Sequence, residues 1–237
     1  MQTPTTRPRR NAMPLSTPVR GERLAAIIHR TLRDEIVSLI RRPGDPLVEM
    51  QVAQVHGTSR TPVREAILRL AEEGLIDIYP QSGTFIARIP VAELPEVIAV
   101  RSALEEATVR VAARLRSDPD LAALRAHLAL QTALGKASDR DGFHRADEAF
   151  HAMLAAIAGQ PRFWTVAQQV KTQVDRFRRL TLPVAGRFGS VVEEHAVIVD
   201  RLAARDADGA AEAMRAHLGA LLGSIEPARQ AQPELFG

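Results

Sequence analysis

Between residues 48 and 89 the hydrophobic period of the chain switches from that of helices to that of strands, and this switch constrains the fold more than any other feature. A short helical run around Val48–Val55 leads to Gly57, with Thr58 and Ser59 beside it, which reads as a tight turn. A second helix is expected to start at Thr61-Pro62. Thr is a good N-cap, and Pro suits a first helical position, where an amide proton has no partner in any case. Val63, Ala66, Ile67 and Leu70 then recur at i, i+3, i+4 and i+7, which buries one face and leaves Arg64, Glu65 and Arg69 to point outward. Two strand-like runs, Leu75–Tyr79 and Thr84–Ile89, flank the turn Pro80-Gln81-Ser82-Gly83. Two short helices joined by a glycine turn form a helix-turn-helix, and the hairpin after it is a wing. In that arrangement the second helix enters the major groove by its N-terminal end, where Arg reads guanine through two hydrogen bonds. Arg60 and Arg64 stand at that end, which also favours phosphate. Two arginines alone would be ordinary solvated charges; the agreement of cap, turn, helix and wing favours DNA contact.

Upstream, Leu24, Ile27, Ile28, Leu32, Ile36 and Leu39 or Ile40 make an apolar stripe over residues 22–40, ended by Pro43-Gly44-Asp45-Pro46. This gives a DNA-binding domain over 21–89. Residues 1–20 are rich in Arg and Pro, carry no acid and have no apolar core, so they read as a disordered basic arm and not as a signal peptide. Charge agrees: residues 1–91 hold 13 Arg and Lys against 9 Asp and Glu, whereas residues 92–237 hold 18 against 19. The chain has no cysteine, which excludes disulfides, thiolate metal sites and cysteine nucleophiles, and fits a cytoplasmic location. No apolar run is long enough to suggest a membrane span, so no membrane partner is expected.

Beyond a linker at 90–95 no strand pattern appears. Six helical segments are expected, near 96–116, 119–136, 141–158, 161–180, 187–205 and 207–224, forming an antiparallel six-helix bundle over 96–225 with a tail at 226–237. The fold class is therefore mainly α, a winged helix-turn-helix followed by an all-α bundle. Polar residues sit on the apolar faces of this bundle. Phe143, Asp147, Phe150, His151, Leu154 and Ala158 share one face; His195 lies among Val191, Ile198 and Leu202; His217 lies among Ala210, Met214, Leu218 and Leu221. A buried carboxylate is costly unless paired or metal-bound, and residues at i and i+4 lie close enough to hold one ion. Three imidazoles and a carboxylate suit a divalent metal ion, zinc or nickel before others. His29, His56, His127 and His144 are read as ordinary surface or hydrogen-bonded histidines. Arg101 sits inward on a stripe of Val97, Val100, Leu104, Ala107 and Val111, and needs an anion: Glu105 or Glu106, or the carboxylate of a ligand.

Two stretches resemble known families. Pro43-Gly44, the run from Gly57 through Ser59-Arg60-Thr61-Pro62-Val63-Arg64-Glu65-Ala66 to Leu70, Glu73-Gly74-Leu75-Ile76 and Gly83 resemble the DNA-binding signature of the GntR family. The resemblance implies that Ser59, Arg60, Thr61 and Arg64 contact DNA and that Gln81, Ser82 and Gly83 of the wing tip reach the adjacent minor groove. Leu39 stands where that family usually has Gly, and Thr58 where Val is common, both taken as conformationally minor; Met50 stands where some members use a DNA-contacting Arg. Arg101 with Leu104-Glu105, Asp147-Glu148-Ala149-Phe150-His151, Glu194-His195 and His217-Leu218 are similar to the FCD effector domain of the FadR subfamily, in its VanR-like branch. That implies metal ligation by Asp147, His151, His195 and His217, and binding of a small carboxylate effector by Arg101. It also implies a homodimer. The expected function is ligand-responsive regulation, repression by default, at a palindromic double-stranded DNA operator, without enzymatic activity. Two alternatives stand beside it: a metal-dependent hydrolase fused to a DNA-binding domain, and a regulator whose metal is purely structural.

Overall fold

Ala25, Ile28, Leu32 and Ile36 are all but fully buried, a helical repeat that seats the first helix, α1 (Arg20–Val37), against the helix-turn-helix. Ile27 and Ile40, expected on that stripe, are exposed. The computed structural model describes residues 20–237; of the basic arm expected over residues 1–20, all but Arg20, which begins α1, lies outside the described residues. After α1 the chain turns through Leu39 at φ 62°. A branched residue there costs on the order of 1 kcal/mol, so the replacement of Gly at this position is a strained one and not the minor change expected.

Helix α2 (Glu49–Val55) and helix α3 (Arg60–Glu72) meet at Gly57, whose φ of +59° supplies the turn. The second helix starts earlier than Thr61-Pro62 implied: Ser59 is the N-cap, and Pro62 falls within the first turn, where its missing amide is still no loss. Val63, Ala66, Ile67 and Leu70 are buried as expected. Strands β1 (Ile76–Tyr79) and β2 (Gly83–Ile86) pair antiparallel, with Ile76 opposite Ile86 and Tyr79 opposite Gly83. Gln81, at φ 66°, and Gly83 shape the exposed wing tip.

The linker is short. A single 3-10 turn at Val91–Glu93 runs into α4 (Leu94–Leu115), followed by α5 (Asp118–Lys136) and α6 (Arg140–Ile157). Ser117 and Asp120 cap α5 reciprocally, and the side chain of Asp139 caps α6. The expected fourth segment is two helices, α7 (Pro161–Val170) and α8 (Thr172–Thr181), broken at Lys171. No Pro or Gly marks that break. Lys171 is 2% exposed and joins Glu148 at 2.7 Å and Asp175 at 2.6 Å. Helices α9 (Arg187–Ala203) and α10 (Ala207–Gly219) complete the bundle. Its core is formed by Val109, Ala112, Phe150, Leu154, Phe177, Ile198, Leu202 and Met214, among others.

The segment expected as a tail is ordered. Helix α11 (Ile225–Ala231) leads to Leu235 and Phe236, both buried, and the backbone at Leu235–Gly237 hydrogen-bonds to Ile89 on either side. Phe236 packs against Phe177 of α8. Two apolar residues carry no period, so the sequence could not distinguish this clasp on the linker from a loose end.

Candidate metal centre and DNA-binding face

The stripe on α4 lies one position away from the one expected. Leu94, Ile98, Arg101, Glu105, Thr108, Val109 and Ala112 face inward, while Val100 is exposed and Val97, Leu104 and Val111 are half-buried. The shift keeps Arg101 buried and brings Glu105 in with it. The inward faces of α6, α9 and α10 are those expected, and they bring Asp147, His151, His195 and His217 together in full burial. One ligand atom from each lies within 4.8 Å of all the others.

The partners of the three imidazoles fix how these rings can act. Nδ1 of His195 lies 2.9 Å from the Gln131 side-chain oxygen, and the Gln131 amide nitrogen donates to the Ala146 carbonyl. Gln131 can therefore only accept from His195, which places the His195 proton on Nδ1. Nδ1 of His217 lies 2.7 Å from a Glu194 oxygen, and Nδ1 of His151 meets Glu105. A carboxylate can only accept, so the His195 and His217 rings carry a proton on Nδ1 and turn Nε2 toward one point, whereas His151 lies against Glu105 with neither ring nitrogen hydrogen-bonded. His195 Nε2 and His217 Nε2 stand 3.3 Å apart, and His151 Nε2 is buried without a hydrogen-bond partner. Burial pushes the His195 and His217 imidazoles below their usual range. A spacing of about 3.3 Å is the tetrahedral edge given by metal–nitrogen bonds of about 2.0–2.1 Å.

Asp147 supplies the charge. Burial alone would raise its carboxyl, but Arg178 beside it holds it well below the usual carboxylate range. The Arg178 guanidinium donates from Nη1 to Oδ2 at 2.6 Å, and its Nη2 stands 2.6 Å from Oδ1, which is left without a hydrogen-bond partner. Asp147 also stands 3.7 Å from His195 Nε2 and 3.9 Å from His151 Nε2. Beside the quartet, Arg101 pairs with Glu105, one of the partners the sequence allowed, while its Nη2 is buried and unpartnered. Burial would raise the Glu105 carboxyl, but Arg101 and His151 bring it down to about 2. Trp164 stacks on His151 at 5.7 Å between ring centres. The cavity between them, lined by Glu105, His151, Trp164 and Met214, is about 10 Å³, room for roughly one water.

Sequence reasoning missed Glu105 as a partner of His151, and also Gln131, Lys171 and Arg178. Gln131 stands in register with Leu121, Leu124 and Leu128 on α5, a polar residue on an apolar stripe. Lys171, Asp175 and Arg178 recur at i, i+4 and i+7, a charged stripe inside a buried segment. Both signals were there to be read. Glu194 reaches the site through His217 and is also held by Arg187 at 2.6 Å. Glu148 is held by Lys171. Of the histidines outside the quartet, His144 is buried with Nδ1 unpartnered, His127 meets the Ala146 carbonyl at 2.6 Å, and His29 pairs with Glu73.

At the other end of the molecule, Ser59, Arg60, Thr61 and Arg64 lie together, exposed, at the start of α3, and Gln81, Ser82 and Gly83 are exposed at the wing tip. Arg60 and Arg64 both bond one Glu49 oxygen, at 2.7 Å and 2.9 Å. Helix α8 connects the two ends. Gln173 donates to the Gly74 carbonyl, Arg33 of α1 donates to Thr172, and the buried guanidinium of Arg176 donates to the Ala87 carbonyl. An open cleft of about 980 Å³ lies at this junction and not at the quartet.

Known proteins share both halves. The model for bacterial regulatory proteins of the gntR family matches residues 24–86, and the FCD domain model matches residues 96–220. The chain is 33% identical over 209 residues to the HTH-type transcriptional repressor RspR of Escherichia coli K12, covering 88% of this chain and 92% of that one. It is 31% identical to a probable D-xylose utilization operon transcriptional repressor of Paenarthrobacter nicotinovorans, covering 81% and 85%. Among solved structures, E. coli McbR/YncC superposes with a TM-score of 0.69 at 20% identity over 86% of this chain and 97% of that one, a likeness of fold. A putative GntR regulator from Rhodococcus sp. RHA1 superposes with the same score at 26% identity, covering 86% and 98%. No helix among the described residues is long and apolar enough to cross a membrane. With a gntR-type winged helix at its N-terminus and an FCD domain over more than half its length, this chain belongs to the GntR family of bacterial transcription regulators.

Proposed function

We propose that the protein is a repressor whose FCD domain holds a divalent metal ion, zinc or nickel, on Asp147, His151, His195 and His217 and senses a small organic or sugar acid beside it. The observation that carries this reading is the convergence of three buried imidazoles on one buried carboxylate, with a ligand atom of each within 4.8 Å of all the others and His195 and His217 held at Nδ1 by Gln131 and Glu194. The ion would supply a positive charge and open coordination positions for an effector's oxygens. Glu105, Gln131 and Glu194 would orient the rings. Arg101, with its unpartnered Nη2, would receive the effector's carboxylate. The bundle as it stands encloses room for about one water, so effector entry requires the helices around Trp164 to part.

On the DNA side, the exposed Ser59, Arg60, Thr61 and Arg64 would enter the major groove and the Gln81-Ser82-Gly83 tip the minor groove. Two copies in a homodimer would read the halves of a palindromic operator. An effector regulates only if it binds one arrangement of the two halves better than the other, and α8, which touches both, is the element placed to transmit that preference.

Elemental analysis tests the metal. The purified chain should carry about one divalent ion, and Asp147→Ala and His195→Ala should lose it; retention by both variants overturns the quartet. Footprinting on the DNA upstream of the protein's own coding sequence, with and without a panel of organic acids, tests the sensing. Protection that no acid alters leaves a metal with a structural role alone.

A further inference from the structure

We propose that His144, Glu148 and Asp175 form a second cation site, separate from the quartet and fit for an oxygen-preferring divalent ion such as manganese or magnesium. It shares no residue with the quartet and stands whether or not the quartet holds metal.

Helices α6 and α8 build it together. His144 and Glu148 stand at i and i+4 on α6, which puts them on one face, and α8 supplies Asp175. One ligand atom of each lies within 4.8 Å of the other two. His144 is 7% exposed and Asp175 8%, so both sit where a polar atom without a partner is costly. Yet His144 Nδ1, Glu148 Oε1 and Asp175 Oδ1 are all buried with no hydrogen-bond partner. Nearly all buried polar atoms in folded proteins are paired, so three orphans in one cluster point to a ligand.

The protein's own cations leave these atoms unanswered. Lys171 bonds Glu148 Oε2 at 2.7 Å and Asp175 Oδ2 at 2.6 Å, which is the other oxygen of each carboxylate. Arg178 is committed to Asp147, and its Nη1 stands 3.9 Å from Glu148 Oε1, beyond hydrogen-bond reach. Arg179 is committed to Asp141. Two carboxylate oxygens and one imidazole make a harder set than the quartet's three imidazoles and one carboxylate, so manganese or magnesium suits it better than zinc or nickel. The Glu148 side chain is 20% exposed, so one edge of the cluster reaches solvent. An ion can enter there and keep water on its remaining positions. Helix α8 also bears Gln173 and Arg176, which bond the winged helix at Gly74 and Ala87. An ion held by α6 and α8 together would fix the helix that carries those contacts.

The test is manganese titration of the full-length chain, read by loss of the free-ion signal in electron paramagnetic resonance, after addition of about one equivalent of zinc for the quartet. Wild type should take up about one manganese ion per chain, saturably, and its melting temperature should rise as it does. Asp175→Asn and Glu148→Gln keep the shape of the cluster and remove a ligand charge. Each should weaken manganese binding about tenfold or more, the least that even a residue behind a metal ligand contributes, and leave the zinc in place. His144→Ala should do the same, and the two shape-keeping variants decide the matter if it fails to fold. His195→Ala, altered in the quartet alone, should still bind manganese. No saturable uptake by wild type overturns the proposal and leaves Lys171 as the cation of this cluster. Uptake that Asp175→Asn and Glu148→Gln both retain in full places the ion elsewhere and overturns it equally, as does loss of manganese from His195→Ala. A wild type that binds manganese but no zinc sinks the quartet reading alone.

Discussion

Arg64 and Asp147 are both charged residues on helix faces, yet the Arg64 side chain is 58% exposed and that of Asp147 is fully buried. The difference sets what each can tolerate. On the recognition helix, charge is screened by water and shared between two arginines and one glutamate, so pairing there is worth little. In the quartet every charge is dry, and each has one or two partners that nothing else can replace. The DNA-binding face is thus a set of nearly independent contacts, and the buried quartet is a network that stands or falls together.

Substitution of Asp147 should break this contrast most sharply. Asp147→Ala strands Arg178 in the bundle, and thermal or urea unfolding of the metal-free protein should show a loss of about 3–5 kcal/mol, with the winged helix unaffected as judged by hydrogen exchange. A loss under 1 kcal/mol would mean that the network is not cooperative.

Acid should also act on the buried side first. Burial, with Arg178 and Arg179 adding, pushes the His144 imidazole down to about 4 from its ordinary 6.5. Below pH 6.5 the unfolded chain takes up the proton and the folded one does not. Stability is therefore full above pH 6.5 and falls as the pH drops toward 4, by up to about 3 kcal/mol from this group. His195 and His217, lowered for the same reason of burial, add to the same slope. The metal-free protein should lose stability across this window, and His144→Gln should flatten part of the loss; a flat wild-type profile would contradict the dry site.

The exposed side should respond through binding and not through folding. Arg64→Ala should cost about 2 kcal/mol in operator affinity in a mobility-shift titration, with less than 0.5 kcal/mol change in stability, a rough bound for surface positions. The smallest effect is expected from Glu49. Arg60 and Arg64 bond Glu49 in the DNA-free protein, so this carboxylate must be shed before they meet phosphate or base. Glu49→Gln should tighten binding to random DNA by about fivefold at low salt, and the gain should fade as salt rises. An unchanged affinity would show that Glu49 does not compete with DNA.

The same contrast explains how much the sequence disclosed. The helix-turn-helix and wing are built from contacts close in the chain, and their cap, turn glycine and alternating strands lie in one contiguous stretch. Only details escaped, such as the N-cap at Ser59 and the strained Leu39. The quartet was legible for a different reason: a polar residue on an apolar stripe is anomalous wherever its partners are, and Asp147, His151, His195 and His217 each stood out alone. Periodicity failed at Lys171, where a buried ion pair and no helix-breaking residue divides α7 from α8, and at Leu235-Phe236, too short to show any period.

By itself the sequence determined the inward faces of α6, α9 and α10 and which side chains there would find burial costly, because burial follows from spacing along one segment, although on α4 it placed the inward stripe one position off. The tertiary structure decided who answers that cost: Glu105 for His151, Gln131 for His195, Glu194 for His217 and Arg178 for Asp147, pairs separated by 23 to 64 residues. A polar partner is chosen by distance and direction across facing helices. Helix spacing holds no record of either until the helices pack.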